Sequence, residues 1–518
     1  MGGAALVNKQ PQLSSRTLSS KEKQIETGAL SDYQWRNHWY AVGFEEDMPL
    51  PGSKRPLPYS IFDEPYVLFR DEKGALSALL DRCPHRQAKL SEGIVRGGRI
   101  ECAYHGWRFD SKGTCVEIPQ LDENASIPKR ACMREVPVGV SEGIVFLWPG
   151  SPELATNTPL PRSKADLDRN GKDYIINSFV TDLPYSYEYL LENLIDPAHI
   201  PVSHDRTPGG GFIEDAQALD MVVDSITAQE GVRGRYRGSR SSPFSFSLKS
   251  ALEKRRKHEE EKARRAAGAA AGVFEAALHC MPTGRGKSRL LFRTAFRVMP
   301  GLSRNFPQWM KNLNSCKILE QDLGLITSQE DFMRSPSSPP PLPAGEAATD
   351  AQTPPPCERN WEDTCLNLGT QDKLVVAVRE WLDGVGPSLP YYEGWKSRSP
   401  PVLSYDAAST PSVLPSLLSS SPTLDPHHRA QTSRYYRHVL NSRLSRKALH
   451  AVERGQVLAK AVMAVSLAMG MLSRWEPTAI AQAVCAAGFL SAAAAAAGLS
   501  MIEKSFYKNF ERHPKTTW

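Results

Sequence analysis

The chain has 518 residues, with 63 lysines and arginines against 57 acidic residues, 40 prolines and nine cysteines. That length exceeds what one hydrophobic core organises, so two globular units with additional segments are expected. The net charge of +6 is too dilute for a nucleic-acid binder and suits an acidic protein partner or an anionic membrane surface, while so few, scattered cysteines exclude a secreted disulfide framework.

Residues 1–32 carry Lys9, Arg16 and several serines, with no acid before Glu22. That composition suits an organellar transit segment or, equally, a disordered N-terminus. Met1-Gly2-Gly3 is set aside as a myristoylation start because Leu6 stands where that signal needs Ser or Thr.

Residues 33–150 show short apolar runs, such as Tyr66-Val67-Leu68-Phe69 and Ile144-Val145-Phe146-Leu147-Trp148, broken by Gly, Pro and Asp. These predict strands of a small all-β unit. Within it, Cys83-Pro84-His85 and Cys102-Ala103-Tyr104-His105 form C-x-H-x16-C-x-x-H. Two thiolates and two imidazoles could hold zinc, but zinc patterns of this ligand set group the cysteines together and the histidines together. One Cys and one His from each loop favour a [2Fe-2S] cluster with both cysteines on one iron and both histidines on the other. Neutral imidazoles in place of two thiolates raise the potential, into a range of roughly −150 to +300 mV. Gly106-Trp107 fits a tight turn and an apolar cover beside the cluster.

Residues 151–398 read as a second, α+β unit, with strand-like Tyr174-Ile175-Ile176 and a helix expected from Tyr185 through His199. His199 and His204 straddle Pro201, and a proline-broken helix end can aim both imidazoles at one metal. A facial triad then needs a carboxylate from elsewhere, and Asp322, on an expected helix, is the candidate. Asp196 is an N-cap, a surface acid, or a carboxylate that accepts a hydrogen bond from a metal-bound imidazole.

Two insertions interrupt this unit. Residues 249–271 are rich in Lys, Arg, Glu and Ala, a solvated helix or a basic patch. Residues 335–356 are rich in Pro, Ser and Ala, a loop with weak docking character. Thr283-Gly284-Arg285-Gly286-Lys287-Ser288 lacks the first glycine of a nucleotide-binding loop, Met281 standing there.

After a low-complexity linker at 399–432, residues 433–518 form a hydrophobic helical hairpin in expectation. Val457–Ser473 is apolar apart from Lys460, and Thr478–Ile502 has no charge across 25 residues, against the ~20 that span a bilayer. Arg443, Arg446, Lys447 and Arg454 before the hairpin, with Lys504, Lys508 and Arg512 after it, place both ends on one face of a membrane. The alternative is a hairpin buried against the catalytic unit.

These motifs together resemble the Rieske non-heme iron oxygenases, in particular the plastid branch of pheophorbide a oxygenase, chlorophyllide a oxygenase and the protochlorophyllide-dependent translocon component. The likeness to the last is carried by Trp39-Tyr40, Leu90-Ser91-Glu92-Gly93, Tyr104-His105-Gly106-Trp107, Glu192-Asn193-Leu194 with Asp196-Pro197-Ala198-His199, His204-Asp205-Arg206-Thr207, Glu320-Gln321-Asp322 through Ser328-Gln329, and Arg434-Tyr435-Tyr436-Arg437-His438. The resemblance implies a helix-grip-like catalytic domain, a mononuclear Fe(II) at His199, His204 and Asp322, and catalytic roles for Asp196 and Asn193. It further implies O2 and ferredoxin as co-reactants, a chlorophyll-type tetrapyrrole substrate (protochlorophyllide, chlorophyllide or pheophorbide a), a homotrimer, and a plastid envelope or thylakoid address facing the stroma. In such a trimer the cluster of one subunit meets the iron of its neighbour across Asp196. The rival is a non-catalytic, membrane-anchored redox component of a plastid import complex. Relatives carry a Cys-x-x-Cys where this chain has Asn441-Ser442-Arg443-Leu444-Ser445-Arg446, so thioredoxin control at that site is not expected.

Overall fold

A computed structural model describes residues 33–122, 124–162, 174–207, 211–227, 231–237, 274–297, 307–334, 361–366, 371–391, 433–472 and 479–509. The expectations for 1–32, 249–271, 335–356 and 399–432 lie outside the described residues.

The alternating and fully apolar runs of the first region form three antiparallel sheets. In chain order their strands are β1 (Tyr40–Phe44), β2 (Leu57–Ile61), β3 (Glu64–Arg70), β4 (Leu76–Leu80), β5 (Ile94–Arg96), β6 (Arg99–Glu101), β7 (Arg108–Phe109), β8 (Cys115–Glu117), β9 (Glu135–Val136), β10 (Val138–Ser141) and β11 (Ile144–Leu147). The sheet orders are β1-β11-β10, β2-β3-β4-β9 and β5-β6-β7-β8. Val67, Phe69, Leu79, Ile100 and Phe109 pack around Cys83 and Cys102. A second core, with Tyr40, Phe44, Tyr66 and Phe146, continues into Val180, Tyr187 and Leu291 of the following region, so the β unit and the mixed unit share buried side chains.

That mixed region is α+β. Strand β12 (Tyr174–Leu183) is longer than Tyr174-Ile175-Ile176 alone suggested; it is followed by β13 (Asp220–Thr227), β14 (Gly231–Arg237), β15 (Phe274–Gly284) and β16 (Lys287–Arg297). The sheet order is β12-β16-β15, with β13 and β14 as a separate hairpin. The Thr283–Ser288 stretch is the β15–β16 turn, where Gly286 adopts φ 65°, in keeping with the rejection of a nucleotide loop. The expected helix over Tyr185–His199 is shorter, α1 (Tyr187–Ile195). Pro197 bars the preceding residue from helical geometry, and Asp196 is extended at φ −97°, ψ 95°. The chain re-enters a turn of helix at α2 (Ile200–Ser203), with Pro201 in its first turn. A long helix, α3 (Gln308–Arg334), carries Glu320-Gln321-Asp322, and α4 (Lys373–Val385) packs on β13 and β14.

The C-terminal hairpin is α5 (Arg443–Leu472) and α6 (Ala479–Tyr507). Their most apolar stretches are 6% buried, so the hairpin is not covered by the catalytic unit. Among the described residues its root packs there, where Leu313, Val439, Leu449, Val452 and Phe506 form one cluster.

Candidate metal centres

Both cysteine loops are built alike. Cys83 N–H donates to the Ala88 carbonyl (2.8 Å) and Gln87 N–H to that of Cys83 (2.8 Å); Cys102 N–H donates to Trp107 (2.9 Å) and Gly106 N–H to Cys102 (2.9 Å). The fifth residue of each turn has positive φ, 59° at Gln87 and 74° at Gly106; glycine meets that demand without strain. The first loop is tied down behind by Asp81, which accepts from Ser91 N–H (2.7 Å) and Ser91 Oγ (2.6 Å). Gly93 passes the Glu101 backbone so closely that a Cβ would lie 2.0 Å from its carbonyl oxygen, which accounts for the last glycine of Leu90-Ser91-Glu92-Gly93.

Between the loops the Cys83 and Cys102 thiols are buried neighbours, and burial, then the second thiol, pushes Cys83 up to about 11. The His85 and His105 rings lie 4.4 Å apart at 63°, and His85 stacks on Trp107 at 4.7 Å and 4°. Nδ1 of His85 is buried with no hydrogen-bond partner among the described residues. Two adjoining buried thiols, beside a buried imidazole nitrogen that meets no partner among the described residues, suit a group that binds thiolates and imidazoles together.

The second constellation lies where the α1–α2 turn meets α3. His204 Nε2 is 3.2 Å and His199 Nε2 3.8 Å from Asp322 Oδ2. One donor atom from each of the three residues falls within 4.8 Å of the others. The side chains of His204 and Asp322 are each 3% exposed, whereas that of His199 is 20% exposed, which leaves approach from one side. Both imidazoles are held by the opposite nitrogen. His199 Nδ1 faces Asp196 Oδ2 at 3.5 Å, while Oδ1 of Asp196 accepts from Ala198 N–H at 2.8 Å. His204 Nδ1 donates to Gln321 Oε1 at 2.8 Å, and Gln321 Nε2 donates to Thr207 Oγ1 at 2.8 Å. Burial acts to lower the His199 pKa, but the Asp196 hydrogen bond and the Asp322 and Asp196 charges outweigh it and raise it. Asn193 Nδ2 lies 3.3 Å from Asp322 Oδ2, its hydrogen-bond acceptor, and 3.4 Å from His199 Nε2.

All nine sequence-derived site residues thus fall into two clusters: Cys83, His85, Cys102 and His105 in one, Asn193, Asp196, His199, His204 and Asp322 in the other. The orienting roles of Gln321 and Thr207 were not anticipated. The available signal was position: Gln321 adjoins the candidate carboxylate on a helix, and Thr207 lies three residues past His204.

Residues 38–133 match the Rieske [2Fe-2S] domain family and residues 242–339 the pheophorbide a oxygenase family. Protein TIC 55, chloroplastic, of Arabidopsis thaliana is 33% identical over 482 residues, covering 90% of this chain and 82% of that one. The chain belongs to the Rieske non-heme iron oxygenases. This oxygenase is also 28% identical over 497 residues to pheophorbide a oxygenase, chloroplastic, of Oryza sativa subsp. japonica, covering 93% of this chain and 85% of that one. The crystal structure of dicamba monooxygenase bound to dicamba aligns at TM-score 0.46 and 19% identity, over 68% of this chain and 98% of that chain. Membership of the family implies the [2Fe-2S] cluster, dioxygen and an electron donor.

Proposed function

We propose that Cys83, His85, Cys102 and His105 bind the cluster, that His199, His204 and Asp322 bind a mononuclear Fe(II), and that the substrate is a chlorophyll-type tetrapyrrole oxidised at the expense of O2 with ferredoxin as electron donor. The observation that carries this reading is the convergence of His199, His204 and Asp322 with both distal ring nitrogens already engaged. When bound, the cluster supplies single electrons and the mononuclear iron activates dioxygen.

The chain's own residues prepare that site. Gln321 fixes the His204 proton on Nδ1 and so leaves the Nε2 lone pair toward the metal position. Asp196 does the same for His199 and strengthens it as a donor. Asn193 holds Asp322 Oδ2 by an amide N–H, restraining which oxygen faces the imidazoles. The Asp196 side chain is 30% exposed and Tyr104, beside His105, is 60% exposed; both edges are open to another subunit, in support of a trimer that apposes one chain's cluster to the next chain's iron.

The exposed apolar lengths of α5 and α6 support insertion into a membrane, since a hairpin belonging to a soluble core would be mostly covered. The likeness to chloroplastic proteins supports a plastid address, with the catalytic units on the stromal face of the envelope or thylakoid membrane.

The test combines metal counting with turnover. Purified protein should hold three irons per chain, against two for a pure electron carrier. Incubation with ferredoxin, reductant and, in turn, protochlorophyllide, chlorophyllide and pheophorbide a should give an oxygenated product by mass with one of them. His199→Ala should abolish it while leaving the cluster's visible spectrum. Turnover retained by His199→Ala would remove the iron assignment.

A further inference from the structure

The Arg434-Tyr435-Tyr436-Arg437-His438 segment touches neither metal constellation, yet its arginines are almost fully buried, and both close on Glu320, whose side chain is 0% exposed. Arg434 forks onto that carboxylate, Nε to Oε1 at 2.8 Å and Nη2 to Oε2; Arg437 Nη2 reaches Oε1 at 2.8 Å. The same guanidiniums also hold the far end of the hairpin. Arg434 Nη1 donates to the Ser505 carbonyl, and Arg437 Nη2 to Asn509 Oδ1 at 2.8 Å. Tyr435 stacks on Tyr507 at 5.0 Å, and Phe506 lies against Trp309 at 5.6 Å. Both ends of the hairpin root therefore meet at one carboxylate on α3.

That carboxylate precedes Gln321, which holds His204, and Asp322, which faces both imidazoles. Three consecutive residues of one helical turn thus serve the hairpin root, the orientation of one imidazole and the carboxylate of the triad. A helix advances about 100° per residue, so Glu320 and Asp322 point to roughly opposite sides. Rotating α3 by about 10° moves a side-chain tip ~5 Å from the axis by about 1 Å, which exceeds the ~0.5 Å within which a metal constellation must be held. A bidentate Arg–carboxylate pair fixes direction as well as distance, and breaking a buried pair leaves an uncompensated charge that must move to find water.

We propose that Glu320, Arg434 and Arg437 are positioning residues for the iron site: seating the hairpin root on Glu320 sets the rotation of the α3 turn that bears Gln321 and Asp322. The inference rests on the assignment of iron to His199, His204 and Asp322.

The experiment uses full-length protein in detergent micelles, with Co(II) replacing the mononuclear metal and the Rieske visible spectrum as an internal measure of folding. Arg434→Met should release Co(II) to a chelator at least ten times faster than the unsubstituted chain and change its d–d absorption, with the Rieske spectrum intact. A triple variant, Glu320→Met with Arg434→Met and Arg437→Met, removes every charge of the clamp and keeps an apolar contact; its unfolding midpoint should recover, while the Co(II) spectrum and release rate stay altered. Wild-type Co(II) spectrum and release in either variant would overturn the inference, since the clamp would then be cement only. If the unsubstituted chain itself holds no metal beyond the cluster's two irons, the iron assignment fails and takes this inference with it, a result distinguishable because it appears before any substitution.

Discussion

His204 Nδ1 donates a 2.8 Å hydrogen bond to the side-chain oxygen of Gln321, the residue immediately before Asp322 on the same helix. Partners of this kind fix ring orientation and tautomer, and their loss costs about 10–100-fold in metal affinity. Gln321→Leu should weaken Co(II) or Fe(II) binding by that factor in a metal titration, without disturbing the cluster spectrum. Gln321→Glu, which keeps an acceptor at the same reach, should retain most of the affinity. Equal binding by the Leu variant would mean that the imidazole is oriented by packing alone.

The two metal constellations were legible in the sequence to different depths, for a physical reason. The proposed cluster ligands sit on two short turns whose hydrogen bonds close within five residues, from Cys83 to Ala88 and from Cys102 to Trp107, so spacing carries the geometry. His199 and His204 are likewise local, although the helix before them ends at Ile195 because Pro197 forces Asp196 out of helical geometry. The partnership of Gln321 with His204 spans 117 positions, and that of Arg434 with Glu320 spans 114. Neither leaves a periodic trace. Arg379 is the same kind of case: it is buried against Glu188 and Glu192 of α1, yet α4 reads in sequence as an ordinary amphipathic helix.

Trp107 lies flat against His85 and would cover that side of a cluster held by the two loops. A cluster bound by two thiolates and two neutral imidazoles would carry no net charge when oxidised and one negative charge when reduced, so water would favour its reduction. Trp107→Ala should therefore raise the midpoint potential, as read by a redox titration followed by circular dichroism. An unchanged or lower potential would show that the indole does not control solvent access.

His438 is buried beneath β12, where Nδ1 donates to the Val180 carbonyl at 2.6 Å and Nε2 accepts from Ser445 Oγ at 2.9 Å. Burial pushes its pKa down to about 4, against the carbonyl hydrogen bond, which acts the other way. The unfolded chain binds this proton near 6.5 and the folded chain only near 4, so the contribution to stability is complete above 6.5 and is lost as pH falls between these values. The loss amounts to about 3 kcal/mol at the acid end. His279, also pushed down to about 4 by burial, adds a second contribution in the same window. Unfolding midpoints of the detergent-solubilised chain should fall from pH 7 to pH 4.5. Asp47, whose carboxyl burial pushes up to about 7, acts in the opposite sense and offsets part of that loss; His438→Gln, which can make both hydrogen bonds without titrating, should leave a clearly smaller fall over this range than the unsubstituted chain shows. An identical slope in the variant would place the acid sensitivity elsewhere.

The hairpin presents Val457, Leu458, Val465, Leu472, Ile480, Val484 and Leu490 to its surroundings, each more than half exposed. Apolar surface of this extent is costly in water, at about 25 cal/mol per Å², and a bilayer removes that cost. Its close helix–helix contacts pass through small residues: a Cβ added at Gly455 would lie 3.0 Å from Leu499 and one added at Gly488 3.0 Å from Ser466, which is how helices associate where no water drives them together. Because Arg434 and Arg437 hold both ends of the hairpin on the catalytic unit, α5 and α6 must leave and return on the same side. The full chain should float with liposomes and resist carbonate extraction, and added protease should cut the catalytic units of every inserted molecule from one side only. Replacing residues 457–500 by a short polar loop should release the protein to the soluble fraction with its Rieske spectrum unchanged, because the root on Leu313, Val439 and Phe506 stays in place. A full chain that remains soluble and monodisperse without detergent or lipid would rule out the membrane as the partner of this hairpin.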